Sequence, residues 1–418
     1  MQNDLQVKTL ILDDDPTGTQ SASGVVVLLR WDSDSIAKAF RKADAVYILT
    51  NTRAVDEATA VALVTSIVAD ARRAGEKLGE TIRFILRGDS TLRGHVFAES
   101  EAVGGAAPIL FVPAYPDGGR TTIDGHHMVR VNGKSMPVEQ TEFAEDPVFG
   151  YRHGRLDEYV LEKSNRIPRL LDIDVVRDTD ALRTALCSAV DGDVLLPDVH
   201  DDSDIGRLAA AVRDVWLERN LVVRSAAPLA AAIAQVMSTD FLKLPIEHPN
   251  DPVLLVCGSH TSAASRQLDL IATMHGLAIE IETERALIDA TAEGHRVADL
   301  ARKSLIGNGL AVLASERVRR PEHDTLEHGE QVMRALVTAV ADLRELTSIV
   351  VSKGGITGAD VACEGIGANR AEVRGQIMAG VSVWDLQTQE GRKAVQVVVP
   401  GNIGDDDALV VALAAVGC

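Results

Sequence analysis

The sequence predicts an α/β protein of two domains with largely parallel sheets. Short β-branched apolar runs alternate with longer, alanine-rich amphipathic segments, which is the pattern of parallel strands joined by crossover helices. The 418 residues are too many for one core, because single cores stop growing near about 250–300 residues. Three prolines fall within the ten residues 243–252, and proline is poor material for helix or strand interiors. We therefore predict a first domain over 1–242, a linker over 243–252 and a second domain over 253–418.

The strand candidates are apolar runs in both halves of the chain. Those of the first half are VKTLIL, GVVVLL, AVYILT, IRFILR, PILFVPA and DVLLPD. Those of the second half are PVLLVCG, LAIEIE, LAVLAS, SIVVSKGG and VQVVVPG. A polar stretch rich in turn formers, over about 130–170, is typical of an insertion or lid beside a site.

Composition argues against two classes of partner. The formal net charge is −19, so the overall field repels nucleic acid and anionic membranes, which bind clustered basic surfaces. The four cysteines are scattered singly, without the paired spacing of a disulfide framework, which favours a reducing compartment. The start of the chain lacks a signal-peptide pattern, and apolar runs such as ALVVALAAVG are shorter than the roughly 18–20 residues of a membrane span. We expect a cytoplasmic protein without a nucleic-acid or membrane partner, and homo-oligomer formation stays open.

Three adjacent carboxylates follow the first strand, in the segment LDDDPTGTQ. Asp13, Asp14 and Asp15 stand at the carboxyl end of a strand, where open α/β sheets bind their ligands. Carboxylates this close repel one another, so a ligand, a metal or cationic partners must offset their charge. A solvated turn with an Asp cap is the alternative interpretation.

A second polar cluster follows another strand, in IRFILRGDSTLRGH. Asp89 lies between two arginines and beside two hydroxyls, a set that can orient an acceptor hydroxyl and clamp an acid group. A helix start capped by Asp89 or Ser90 is the alternative. For His126 and His127 a packed or hydrogen-bonded role is favoured over a metal site, because adjacent residues of an extended segment face opposite ways. Two further strand ends add more polar residues, namely Asn51, Arg53, Asp117, Arg120, Thr121 and Thr122.

The second half repeats one local pattern three times: an apolar strand, a glycine turn and a helix. In PVLLVCGSHTSAASRQ, Ser259 and Thr261 add hydroxyl donors to the amides of a helix start, which can cradle a phosphate group. In SIVVSKGGITGAD, glycines permit close approach of the backbone to a ligand, and Lys353 adds a positive charge. In VQVVVPGNIGDDDA, glycines flank Asn402 ahead of three acids. Ordinary Ser and Thr caps, and acids that compensate a helix dipole, are the alternatives.

The three repeated units predict a nucleotide site of an uncommon kind. The sequence contains neither GxxxxGK[ST] nor a GxGxxG directly after a strand. This argues against a P-loop enzyme and against an ordinary dinucleotide-binding domain. Nucleotide binding would therefore depend on a different arrangement of glycines.

Eight segments, taken in order, resemble those of the four-carbon acid sugar kinases: DDDPTGTQ, TNTRA, RGDSTLRGH, GGRTTIDGHH, TEFAEDPVFGYR, GSHTSAASRQ, SKGGITGAD and PGNIGDDDA. The likeness covers nearly the whole chain. It implies an N-terminal acid-sugar-binding domain and a C-terminal nucleotide-binding domain, with ATP and Mg²⁺ used to phosphorylate the terminal hydroxyl of acids such as threonate, erythronate and oxo-tetronates. The implied acid-sugar site is Asp14, Thr17, Gly18, Asn51, Arg53, Asp89, Ser90, Arg93, Arg120 and Thr121. The implied ATP site is Ser259, Gly354, Gly355, Ile356, Thr357, Gly401 and Gly404.

The chain departs from the family pattern at several positions. Arg87 and Gly88 stand where lysine with an apolar follower is usual, His95 where asparagine is usual, and Ile403 where phenylalanine is common. Most of these departures adjoin the acceptor motifs, so the resemblance leaves the acid itself open.

We expect the active site in the cleft between the domains, with Asp89 as the first candidate to receive the hydroxyl proton and Asp14 as the second. Arginines are the candidates for the substrate carboxylate, because guanidinium binds it in bidentate fashion. One rival is a haloacid-dehalogenase-like phosphatase, since LDDDPTGT fits DxDxT with Asp13 as nucleophile. Another is a noncatalytic two-domain ligand-binding protein. Metal ligands and oligomeric state are not predicted.

Overall fold

The computed structural model describes residues 8–131, 133–216, 218–238, 240–246, 251–318, 325–401 and 403–418. Its strands are β1 (Lys8–Asp13), β2 (Val25–Leu28), β3 (Ala45–Leu49), β4 (Ile82–Arg87), β5 (Ile109–Val112), β6 (Arg120–Ile123), β7 (His126–Val131), β8 (Lys134–Pro137), β9 (Ile167–Leu171), β10 (Asp193–Pro197), β11 (Val222–Ser225), β12 (Val253–Cys257), β13 (Ile279–Ile281), β14 (Leu310–Ser315), β15 (Ile349–Lys353), β16 (Ala368–Met378), β17 (Val381–Thr388) and β18 (Lys393–Val399).

Its α-helices are α1 (Ser33–Phe40), α2 (Glu57–Leu78), α3 (Val96–Gly104), α4 (Leu156–Lys163), α5 (Ile173–Arg177), α6 (Thr179–Ser188), α7 (Asp202–Trp216), α8 (Ala227–Ile233), α9 (Ser262–His275), α10 (Thr283–Asn308), α11 (Leu326–Leu343), α12 (Gly355–Asp360) and α13 (Ala408–Ala415). Among the residues described, no helix is both long enough and apolar enough to span a bilayer.

The first compact unit comprises the described residues of Met1–Asp14 and Trp31–Met237. Its main sheet is parallel throughout, in the order β3-β1-β4-β11-β5-β10-β9. The register sets Asp13, the last residue of β1, opposite Leu49 of β3 and Arg87 of β4. The carboxyl ends of these three strands therefore lie side by side, and the polar segments after β1 and β4 start from one edge of the sheet.

Residues 120–137 of the first unit form a three-stranded antiparallel sheet in the order β6-β7-β8. The backbone of Thr122 also exchanges hydrogen bonds with Val199, which follows β10. The stretch predicted as an insertion or lid over about 130–170 thus contains part of this sheet, the helix α4 and the strand β9.

The second unit comprises Asp15–Arg30 and the described residues of Ser238–Cys418. Five parallel strands, in the order β13-β14-β12-β15-β18, continue into the antiparallel strands β17, β16 and β2. Its core consists of aliphatic side chains from the central strands and from α9 and α13, in keeping with the few aromatic residues of the chain.

The α/β class and the two-part organisation predicted from the sequence are confirmed. The division differs from the predicted ranges at two places, because the described residues of 238–242 lie in the second unit, and so do residues 15–30. There β2 pairs with β16, and Trp384 Nε1 donates to Thr19 Oγ1 at 2.8 Å. Four residues of the predicted linker, 247–250, lie outside the described residues, as does Asn402.

Each strand predicted from an apolar run corresponds to a strand of the structure. The strands that were not predicted are β6, β7, β8, β9, β11, β16 and β17. Several of them, such as β16, alternate buried with more exposed residues and so lack a continuous apolar run.

Candidate functional site

Two arginine-bound carboxylates lie at the strand ends of the first unit. Arg87 Nη1 lies 3.1 Å from Asp13 Oδ1 and 3.2 Å from Asp14 Oδ1. Asp13 is fully buried, and this burial raises its pKa to about 7, although Arg87 acts in the opposite direction. The repulsion predicted among neighbouring carboxylates is thus offset here by a cation of the next strand.

Asp89 follows β4 and is enclosed by guanidinium groups. Arg93 Nε donates to Asp89 Oδ2 at 2.8 Å, and Arg53 Nη1 lies 3.8 Å from the same oxygen. Burial alone would raise the pKa of Asp89, but Arg93 and Arg53, with a hydrogen bond from Thr91, bring it below its usual range. Arg53 Nε also lies 3.5 Å from Asp14 Oδ2, which joins the two groups of charges. The result is an ionised carboxylate held in place by two cations.

Arg224 and Glu99 belong to this cluster and were not predicted. Arg224 Nη2 lies 3.4 Å from Asp14 Oδ2, and Nη1 donates to Glu99; both side chains are buried. A Cβ at Gly88 would stand 2.6 Å from Arg224 Nη2, so a side chain at this position would require the guanidinium to shift. The signal in the sequence is an arginine that directly follows the two valines of β11.

Three consecutive main-chain carbonyls of the loop after β4 accept hydrogen bonds from side chains of the first unit. The carbonyl of Ser90 accepts from His127 Nε2 at 2.8 Å, that of Thr91 from Tyr151 Oη at 2.9 Å and that of Leu92 from Tyr159 Oη at 2.7 Å. Burial lowers the pKa of His127 to about 4, so the ring is neutral at pH 7. Because a carbonyl only accepts, Nε2 carries the proton, and Nδ1 can accept from the Thr122 hydroxyl at 3.2 Å.

Arg93 also contacts the segment that follows a 3-10 helix at Val138–Gln140. Its guanidinium lies 5.1 Å from the centre of the Phe143 ring, a cation–π contact, and Nη1 lies 3.5 Å from Asp146 Oδ2. Both partners belong to TEFAEDPVFGYR, so this segment contacts the acceptor motif. His126 and His127 both make hydrogen bonds, His126 to Glu139 at 2.8 Å, as expected for histidines outside a metal site.

The structure thus brings Asp14, Arg53, Asp89 and Arg93 into one charged cluster. Among the other predicted acceptor residues, Arg120 is buried and donates to the Gly118 carbonyl. Asn51 has a left-handed φ of 52°, and Thr121 lies on β6 opposite Met128. Thr17 and Gly18 were assigned to the first domain but lie in the second unit, in a 3-10 helix at Pro16–Ser21.

The three glycine turns of the second unit lie against one another. A Cβ at Gly258 would stand 2.3 Å from Thr357 Oγ1, and one at Gly401 would stand 2.7 Å from Ser259 Oγ. Thr261 caps α9 and donates to the Gly401 carbonyl at 2.6 Å. The turns after β12, β15 and β18 are therefore in contact, as expected for turns that follow neighbouring parallel strands.

The residues 354–357 lie between the other two turns. Gly354 has a φ of 116°, and a Cβ there would stand 3.3 Å from the Ser259 Cβ. Ile356 is half-buried and Thr357 is buried. A Cβ at Gly355 would stand 2.2 Å from Asp15 Oδ2, which places one carboxylate of the second unit against this turn.

Two further side chains border the turns. Arg317 donates to the Ser259 carbonyl at 2.7 Å and to Ser265 Oγ at 2.8 Å, and it was not predicted. Lys353 was predicted to add charge beside the ligand. Its side chain is instead fully buried, and Nζ donates to the carbonyls of Pro400 at 2.7 Å and Ile403 at 3.1 Å.

Comparisons with known domain families agree with this division. A family model described as a sugar-binding N-terminal domain matches residues 9–233. A second model, a nucleotide-binding C-terminal domain, matches residues 254–409. The chain belongs to the four-carbon acid sugar kinase family. Membership assigns sugar binding to the N-terminal half and nucleotide binding to the C-terminal half.

Solved structures share the fold at low sequence identity. A Salmonella typhimurium LT2 protein with the provisional name tRNA synthase is 16% identical, with a TM-score of 0.68 over 97% of this chain and 98% of its own. A Haemophilus influenzae protein of the DUF1537 family is 17% identical, with a TM-score of 0.62 over 97% and 99%. No curated protein sequence matches the chain significantly.

Proposed function

We propose that this protein is an ATP-dependent kinase that phosphorylates a hydroxyl of a small sugar acid, with a four-carbon acid such as a tetronate or oxo-tetronate as acceptor. The observation that carries the proposal is the Asp89 carboxylate, held between Arg53 and Arg93 at the strand ends of a sugar-binding domain. The nucleotide-binding domain supplies the second substrate. The four-carbon length comes from family resemblance.

The acceptor would bind through its hydroxyl and its carboxylate. Asp89 is ionised and can accept a hydrogen bond from the reacting hydroxyl, which orients it for attack. Arg53, Arg93 and Arg120 are the candidates for the acid group of the substrate, because a guanidinium binds a carboxylate in bidentate fashion.

A lowered pKa makes Asp89 a weak proton acceptor, and phosphoryl transfer tolerates this. The transition state is loose in most analyses, so catalysis depends mainly on positioning and on charge neutralisation. We therefore assign Asp89 to orienting the hydroxyl and receiving its proton late. Asp14, joined to Arg53 and Arg224, would hold the guanidinium groups in place.

The nucleotide would bind at the contacting turns of the second unit. A Cβ at Gly258, Gly354 or Gly401 would meet side-chain atoms of these turns, so glycine lets the turns approach one another closely. The hydroxyl of Ser259 and the loop 354–357 are the proposed phosphate contacts. Mg²⁺ would neutralise the phosphate charge, and Asp15, which lies against Gly355, is the carboxylate we propose to hold it.

Two rivals make different predictions. The phosphatase requires Asp13 as a nucleophile, but Asp13 is 0% exposed and Oδ1 is bound by Arg87, which disfavours attack on a substrate. A noncatalytic ligand-binding protein would keep both sites without turnover. The nucleotide-binding family model favours an enzyme that uses a nucleotide over the phosphatase.

A screen of ADP release tests the proposal. The purified protein is incubated with ATP, Mg²⁺ and a panel of sugar acids of four to six carbons, and ADP is measured with and without each acid. We expect ADP release that depends on a four-carbon acid. Tight binding of an acid without ADP release would indicate a noncatalytic protein. Release of inorganic phosphate from a phosphorylated acid without nucleotide would indicate the phosphatase.

A further inference from the structure

The turn over residues 400–405 in the second unit has an unusual distribution of hydrogen bonds. Each of its described carbonyls accepts from a side chain, and three side chains make all of these bonds. The bonds are Lys353 Nζ to Pro400 O at 2.7 Å and to Ile403 O at 3.1 Å, Thr261 Oγ1 to Gly401 O at 2.6 Å, and Gln267 Nε2 to Gly404 O at 3.2 Å and to Asp405 O at 2.8 Å.

Two of these donors are fully buried polar side chains. Lys353 and Gln267 are both 0% exposed. Both hydrogen bonds of Lys353 Nζ among the described residues go to main-chain carbonyls, and burial lowers its pKa to about 8. A buried ammonium without a carboxylate is costly unless hydrogen bonds compensate it, so the two carbonyls of the turn are its main compensation. The turn and the lysine therefore stabilise each other.

The arrangement sets the polarity of the turn. Carbonyl oxygens are the negative ends of the peptide dipoles and repel an anion, whereas backbone N–H groups attract it. Here donors inside the unit engage the carbonyls, and one donor is a cation. The amides of Gly401 and Gly404 donate to no carbonyl among the described residues. In this conformation of the turn, Gly404 has a φ of 90°.

We propose that Lys353 and Gln267 are positioning residues that hold the described residues of the 400–405 turn with the amides of Gly401 and Gly404 available to the polyphosphate of the nucleotide. This rests on the proposed function, since it requires a nucleotide at these turns. Lysines in phosphate-binding loops commonly touch the phosphate directly. Lys353 does not, because its ammonium is enclosed and its hydrogen bonds go to the main chain.

Calorimetric binding of Mg·ADP to the full-length protein tests the proposal. The variants are Lys353→Met and Gln267→Leu, which remove the donors while keeping the approximate shape, and the double variant. We expect each single variant to weaken ADP binding about tenfold, the effect of losing roughly 1.4 kcal/mol. The KM for ATP should rise in parallel, while the KM for the acceptor acid stays within about twofold.

The double variant separates positioning from direct contact. If both side chains act by holding one turn, the second substitution adds little, and the loss in the double variant stays well below the product of the single losses. If Lys353 touches phosphate independently, the two losses multiply, and the assignment is wrong. Thr347→Val is the control, because Thr347 also donates to a main-chain carbonyl, that of Pro252, but at the amino end of β15.

The outcomes also separate this inference from the proposed function. Wild-type protein that binds neither ADP nor ATP would overturn both. Wild-type protein that binds ADP, with Lys353→Met and Gln267→Leu binding it equally well, would overturn the positioning role alone. Should Lys353→Met fail to fold, Gln267→Leu decides by the same measurement, and thermal unfolding of each variant identifies such a failure.

Discussion

Two loops of this molecule are both held by side chains that donate to their main-chain carbonyls, but they offer different groups to a ligand. In the first unit, His127, Tyr151 and Tyr159 bind the consecutive carbonyls of residues 90–92. In the second unit, side chains bind the carbonyls of the described residues 400, 401 and 403–405. Both loops follow the carboxyl end of a parallel strand, where α/β sheets bind ligands.

The difference lies in what each loop offers to a ligand. The loop after β4 carries charged side chains, Asp89 and Arg93, whose reach and charge can distinguish one acid from another. The turn after β18 offers main-chain groups flanked by glycines, which suits a phosphate group common to all nucleotides. Side-chain changes should therefore act most strongly on the first loop, and added Cβ atoms on the second.

The largest expected effect is that of Asp89→Asn. The amide keeps the size of the side chain but loses the charge that orients the acceptor hydroxyl, so turnover should fall about 1,000-fold. Binding of Mg·ADP, measured by calorimetry, should remain unchanged because the change lies in the sugar-binding domain. Asp193→Asn is the control, since Asp193 is a buried carboxylate paired with Arg169 at the amino end of β10. Near-normal turnover in Asp89→Asn would end the assignment of Asp89.

The second effect concerns Gly404→Ala. Gly404 has a φ of 90°, and a Cβ there would stand 2.4 Å from the Ala408 Cβ, so the turn must shift. We expect ADP binding to weaken at least about tenfold, with the acceptor KM unchanged. Gly391→Ala is a matched control, because its φ of 87° imposes the same strain in open space on the β17–β18 turn. Equal losses in both variants would show that backbone strain alone, without displacement of the turn, explains the result.

Much of the fold could be predicted because the central strands are continuous apolar runs. The parallel strands β1, β3, β4, β12 and β15 are buried along almost their whole length, and their sequences show it. The hairpin β16–β17 could not be found in this way, since charged residues alternate with apolar ones there. The placement of residues 15–30 with the second unit depends on the pairing of β2 with β16, a long-range contact that no local pattern predicts.

The candidate site was predictable where chemistry is concentrated in one segment. Asp89 and Arg93 lie four residues apart and meet directly. Arg224 and Gln267 could not be assigned, because the partners of each are far away in sequence. Lys353 was noticed, but only the structure shows that its ammonium faces main-chain carbonyls.

The third effect is a pH dependence of stability carried by His127. Burial lowers its folded-state pKa to about 4 from an ordinary value of 6.5, so the unfolded chain takes up a proton first as pH falls. The stability contribution is complete above pH 6.5 and is lost progressively as pH approaches 4. Between pH 7 and 5 this amounts to about 2 kcal/mol. The increase in the free energy of unfolding from pH 5 to pH 7, measured with urea, should be smaller in His127→Gln than in the wild-type protein.

Asp13 acts with the opposite sign in the same range. Its folded-state pKa of about 7 means that it stabilises the fold at low pH, and this contribution is lost as pH rises toward 7. Both proteins keep Asp13, so its contribution cancels when wild type and His127→Gln are compared. An identical pH difference in the two proteins would contradict the assignment of His127 as a neutral buried donor.

The smallest effect is that of Tyr151→Phe. Its hydroxyl donates to the Thr91 carbonyl, and Thr91 in turn donates to Asp89, so removing the hydroxyl should loosen the side chain that orients the acceptor. We expect a loss of about 1 kcal/mol of unfolding free energy and a severalfold rise in the acceptor KM, with the KM for ATP unchanged. Tyr47→Phe is the control, because the buried Tyr47 hydroxyl has no hydrogen-bond partner among the described residues. Steady-state kinetics with each substrate varied separates two outcomes. Equal rises in both KM values would mean that Tyr151 supports the domain as a whole. A rise confined to the acceptor KM would show that the hydrogen bond to the Thr91 carbonyl positions the side chains that bind the acceptor.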